Sequence, residues 1–118
     1  MPLVSLMLLA TSSGFAQQPA DDCDPRVGSI CGLGGAILVI PYAPVYPAKA
    51  ARSQTEGWVD LEVLVSMDGR VLDIIVVASD PPGVFEEEAM AAAKRWIFAA
   101  SESSETYVVS PRVRFEFL

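Results

Sequence analysis

Cys23 and Cys31 are the residues of this chain whose type and spacing most directly suggest covalent chemistry. A pair this close forms a disulfide in an oxidising compartment or remains as two thiols in a reducing one. The two cannot close a structural zinc site, because such a site takes four ligands and no histidine occurs in the 118 residues. The missing histidine also removes the commonest general base. Ser79, Asp80 and the run Glu86-Glu87-Glu88 are the other reactive groups that stand together. Their spacing matches neither a nucleophile motif nor a pair of catalytic carboxylates. An acidic triplet of this kind is more commonly a solvated helix start than a cation site. The chain is therefore read as a non-enzyme, with no catalytic residues, cofactor or metal.

Composition narrows the partners. Fifteen acidic residues against eight basic ones leave a formal charge of −7. That argues against nucleic acid or an anionic membrane surface, both of which call for a basic patch. A hydrophobic content of 52% requires a packed core, and the length allows one small domain.

Residues 1–16 read as a secretory signal peptide. Leu3 to Ala10 is apolar apart from Ser5, and Gly14-Phe15-Ala16 supplies small residues at the two positions before a cut. No Lys or Arg precedes the apolar run. It is shorter than the roughly 20 residues of a membrane span. Export would put both cysteines where a disulfide forms. Residues 17–41 read as a polar, then glycine-rich leader, with Gly32-Leu33-Gly34-Gly35 as a flexible connector and Ala36 to Ile40 as a run able to add a strand.

Residues 42–118 carry the domain. Tyr46-Pro47 opens a short helix with proline at its first position, and Gly57 is the expected left-handed stop. From Trp58 to Met67 the sequence alternates, with Val59, Leu61, Val63, Val65 and Met67 on one face. Asp68-Gly69 predicts a two-residue hairpin turn. That register sets Val65 opposite Leu72, Val63 opposite Ile74, Leu61 opposite Val76 and Val59 opposite Ala78. The opposite face, with Leu64, Val71, Ile75 and Val77, is unexpectedly apolar and predicts cover by Ala36 to Ile40 or by a self-dimer, or else a partner surface. A helix follows from about Val84 to Ala99, with Phe85, Ala89, Ala92, Ala93 and Trp96 on one stripe. Trp96 and Phe98 are read as core. Tyr107 to Leu118 is the last strand.

A helix crossing between the second and third strands leaves a gap that the first strand fills. The fold expected is α+β: an antiparallel three-stranded sheet, order 2-1-3, packed against two helices. Arg112 and Arg114 would then lie on the same face of the sheet as Asp60 and Glu62 of the adjacent strand, where cross-strand pairs favour this order.

Taken together, Tyr46-Pro47, Gly57, Asp68-Gly69, Phe85-Glu86-x-x-Ala89, Trp96-x-Phe98 and the aromatic final strand resemble the C-terminal domain of the TonB family, over about Tyr42 to Leu118. Glu86 stands where that family carries aspartate, and Ala100 where it carries proline. The resemblance implies a periplasmic module of the Gram-negative envelope. Family members pass inner-membrane energy to outer-membrane transporters by gripping a short peptide. The implied partner is an extended peptide segment of such a transporter, bound by β-augmentation along the open edge of the last strand. Val108, Val109, Ser110, Arg112, Val113 and Arg114 are the implied docking residues. With no anchor helix or long proline-rich spacer in the sequence, the expectation is a peptide-binding module supporting transport without reaching the inner-membrane motor itself. The alternative is a structural envelope protein that uses the same fold as a homodimer.

Overall fold

The computed structural model describes residues 22–101 and 105–117; the expected signal peptide lies outside them. In chain order the elements are β1 (Ile30–Cys31), β2 (Leu38–Ile40), α1 (Ala48–Arg52), β3 (Gly57–Val65), β4 (Val71–Asp80), α2 (Glu86–Ala93), β5 (Ile97–Phe98), β6 (Tyr107–Val109) and β7 (Arg112–Phe115). The larger sheet runs β1-β7-β3-β4, with β6 also on β3, and β2 pairs with β5 in a second sheet. The α+β class and the two helices are as expected, and β4, β3 and the final strands keep the order 2-1-3. The sheet has more than three strands, because the leader adds β1 and the final strand is divided into β6 and β7.

The hairpin register holds in its middle and shifts at both ends. Val63 faces Ile74 and Leu61 faces Val76, but Val65 faces Val71 and Val59 faces Ser79. Leu72 and Val77 are the extra residues at the two shifts, and both turn outward. The turn is a three-residue loop rather than a two-residue one. The Gly69 amide donates to the Ser66 carbonyl at 2.9 Å, and the Ser66 amide donates to the Arg70 carbonyl at 2.8 Å. Only Gly69, at φ 92°, takes the left-handed conformation, so Asp68 escapes the strain a two-residue turn would impose. The Ser66 hydroxyl donates to Asp68 and accepts from the Arg70 amide.

Two further expectations at glycine and proline are corrected. Gly57 does not stop α1; the left-handed residue there is Gln54. Gly57 instead begins β3, where a Cβ would stand 2.1 Å from the Asp80 carbonyl oxygen and 2.8 Å from the Phe85 ring. Pro47 caps α1 from an extended conformation rather than entering the helix.

The second helix is shorter than its apolar stripe suggests. It ends at Ala93, and the amides of Arg95 and Trp96 tighten onto the carbonyls of Ala92 and Ala93. The next donors leave the helix altogether: Phe98 donates to Gly69 and Ala99 donates to Ile37. Ile97 and Phe98, branched and aromatic, fit that strand better than a helix end. Phe85, Ala89, Ala92, Ala93 and Trp96 are nonetheless buried together as the stripe predicts.

The leader is not a loose connector from residue 22 onward. Ile30, Cys31, Leu33 and Leu38 are core residues, packed with Val59, Leu61, Val63, Phe98, Val113 and their neighbours. β2 pairs with β5 and so does not cover the outer face of the hairpin. That face stays open among the described residues, with Ile75 56% and Val77 57% exposed.

Candidate functional site

The implied docking residues fall on two strands, not one. Pro111 lacks an amide hydrogen and interrupts the last strand between β6 and β7. Its carbonyl still accepts from the Leu61 amide at 3.0 Å, which keeps both halves in line along β3. β6 pairs with the end of β3, Val63 opposite Val109 and Val65 opposite Tyr107. β7 pairs with its beginning, Val59 opposite Val113 and Gly57 opposite Phe115. Val109 and Val113 point into the core, whereas Val108 and Ser110 are exposed.

The outward residues of β7 form a charged and aromatic cluster. Arg112 donates to both carboxylate oxygens of Asp60, at 2.7 and 3.0 Å, and its guanidinium lies 3.9 Å from the centre of the Trp58 ring. This bidentate pair is the cross-strand contact anticipated for Arg112. Arg114 does not reach Glu62. Register sets it opposite Trp58, and it donates instead to Glu116 at 2.8–3.2 Å.

The open edge expected along Val108 to Arg114 is open only in part. β1 lies antiparallel on the outer side of β7, with Ile30 opposite Val113 and Cys31 opposite Arg112. The Arg114 amide donates to the Ser29 carbonyl at 2.7 Å. Cys23 and Cys31 are joined in a disulfide, and the Arg114 guanidinium lies 3.8 Å from each sulfur. Among the described residues, β6 pairs with β3 alone, leaving Tyr107 to Val109 as the uncovered stretch of this edge.

What holds β1 in place could not be read from spacing. Asp24, a buried carboxylate, accepts from the amides of Arg26 and Val27 and from the Arg26 guanidinium at 2.8 Å. That guanidinium holds the Asp24 carboxyl below its ordinary range, outweighing the effect of burial. Arg26 also donates to the carbonyls of Leu38 at 2.6 Å and Val39 at 3.4 Å, tying the disulfide loop to β2. The one signal in the sequence was the Asp-x-Arg spacing beside Cys23.

The far end of β7 rests on an aromatic cluster. Phe85 and Phe115 stack at 4.3 Å, Tyr46 and Phe117 at 4.7 Å, and Tyr46 meets Phe85 and Phe115 edge-on. The Tyr46 hydroxyl donates to the Thr55 carbonyl, so the Tyr-Pro segment is fastened to α1's exit and to the last strand at once. Trp96 is fully buried and donates from Nε1 to the Tyr42 carbonyl at 2.9 Å. At the hairpin's other end, Glu86 accepts from the Ser79 hydroxyl at 2.6 Å and the Gly83 amide at 2.8 Å. Those donors lower its pKa, so Glu86 fastens a turn rather than merely facing solvent.

Residues 42–118 match the family model of the Gram-negative bacterial TonB protein C-terminal domain. Protein TonB of Klebsiella pneumoniae is 38% identical over 68 residues, and that of Escherichia coli K12 is 33% identical over 67. These alignments cover 58% and 57% of this chain and 28% of each relative, so the chain spans little more than a quarter of their length. The solution structure of the Pseudomonas aeruginosa TonB C-terminal domain superposes with a TM-score of 0.53 at 28% identity, covering 70% of this chain and 86% of that one.

Proposed function

This chain belongs to the TonB C-terminal domain family, and from that premise we propose that it works in the periplasm as a binding module for extended peptides of outer-membrane transporters, in support of energy-coupled transport. The observation that carries this reading is the family match over residues 42–118, which include both helices and β3 to β7. The docking surface is the edge formed by Val108, Val109, Ser110, Arg112, Val113 and Arg114. A strand edge suits the task because backbone N–H and C=O groups bind any extended chain, while side chains beside it select which one. Arg112, with Asp60 and Trp58, presents charge and an aromatic face next to that edge. The role is one of binding and force transmission rather than catalysis.

The test is titration of the full chain with peptides from the outer-membrane transporters of the same organism. Binding should be accompanied by slowed amide exchange along Tyr107 to Val109, the stretch of the edge that β1 leaves uncovered. Absence of binding by a monomeric protein would discard the reading. A stable dimer with the same edge protected would favour the structural envelope role instead.

A further inference from the structure

β1 carries the features of a bound peptide. It is extended and antiparallel to β7 with Ile30 opposite Val113, and the carbonyl of Ser29, just before it, accepts the Arg114 amide. Ile30 is fully buried within the main core cluster, so the edge has a socket that an aliphatic side chain fills. The disulfide from Cys31 to Cys23, with Arg26 paired to Asp24 and donating to the Leu38 carbonyl of β2, fastens this short strand to the body of the domain.

We infer that Ser29–Cys31 is a tethered occupant of the β7 edge, and that a docking peptide must displace it, run antiparallel to β7 and set an aliphatic residue opposite Val113 in place of Ile30. The inference rests on the reading of β7 as the docking edge and adds the partner's chemistry and the competitor it meets. A tether keeps its segment at an effective concentration on the order of millimolar, so a free peptide of equal intrinsic affinity loses to it. β1 is only two residues long, so a replacing strand need break few backbone bonds to β7, and the cost of displacement lies in the buried Ile30 and the loop behind it. An incoming strand that left the Ile30 socket empty would open a cavity in the core, whereas an aliphatic side chain would refill it.

The experiment compares the full wild-type chain with the double variant Cys23→Ser/Cys31→Ser. The probe is a fluorescent peptide of sequence Val-Gly-Ser-Ile-Ser-Gly-Leu, copying the segment around Ile30 with serine for cysteine. Losing the disulfide leaves the segment joined to the domain through residues 32–41 but frees its N-terminal anchor, so it holds β7 less tightly and probe binding should tighten measurably, by several-fold. The same probe with aspartate in place of isoleucine should not bind. The Arg114 amide should exchange faster in the double variant and regain protection when the probe is added. Equal affinity for both proteins, or binding of the aspartate probe, overturns the inference. The variant Ile30→Thr keeps the disulfide and carries the same expectation, which decides the matter should the double variant fail to fold. A transporter-derived peptide separates the two readings. If it binds both proteins equally, the tethered occupant is refuted and the docking function stands. If the copied probe gains affinity while no transporter peptide binds either protein, the occupant stands and the docking function falls.

Discussion

The Phe98 amide donates to the Gly69 carbonyl at 2.8 Å, and a Cβ on Gly69 would stand 1.9 Å from the Phe98 carbonyl oxygen. The tip of the central hairpin is thus clamped against the strand that follows α2. Gly69 answers two demands at once, a left-handed turn position and a close backbone approach. Gly83 has a similar positive φ with open space around it. Gly83→Ala should cost about 1–3 kcal/mol through backbone strain alone. Gly69→Ala should cost more and should expose the Phe98 amide to exchange, as urea melts with amide exchange would record.

Trp96 supplies both buried area and a hydrogen bond to the Tyr42 carbonyl. Trp96→Ala should destabilise the chain by about 3–5 kcal/mol. Trp96→Phe keeps most of the apolar contact but removes the indole donor, and should cost about 1–3 kcal/mol. Thermal melts of the two variants should fall in that order, and an unchanged melting temperature for Trp96→Ala would refute the core assignment.

Arg112 and Asp60 pair on a surface that is about one-third exposed on each side. A double-mutant cycle with Arg112→Ala and Asp60→Asn should give a coupling of about 0.2–1 kcal/mol. Arg112→Lys should recover only part of it, because an ammonium cannot bridge both carboxylate oxygens or lie flat on Trp58. A cycle on Arg114 and Glu62 should give no coupling, since Arg114 is engaged by Glu116.

Acid should loosen the leader. The folded-state pKa of Asp24 lies below its ordinary value of 3.8. Its contribution is therefore complete above about pH 3.8 and is lost as pH falls through the lower folded-state value. Asp24→Asn should be less stable than wild type at pH 7, with the gap closing at strongly acid pH. Denaturant midpoints measured from pH 7 to pH 2 would show whether the two curves converge.

Periodicity carried much of this fold. The alternation through β3, the facing pairs Val63–Ile74 and Leu61–Val76, and the buried stripe from Phe85 to Trp96 were all legible, because inward-facing side chains repeat every second residue in a strand and about every 3.6 in a helix. Strand order followed from connection rules. The sequence alone also raised the prospect of a Cys23–Cys31 bond and set Arg112 and Arg114 on the same face as Asp60 and Glu62; which arginine meets which carboxylate was left to the register of β3 and β7.

Tertiary structure decided what local patterns leave degenerate. Ile97 and Phe98 continue an apolar helical stripe, yet their backbone goes to Gly69 and Ile37, because hydrogen-bond partners far along the chain are invisible to local periodicity. The same holds for the edge of β7. Spacing said that a strand edge existed, but backbone donors and acceptors carry no sequence signature, so nothing in the residues themselves revealed that Ser29–Cys31 would be the strand to take it.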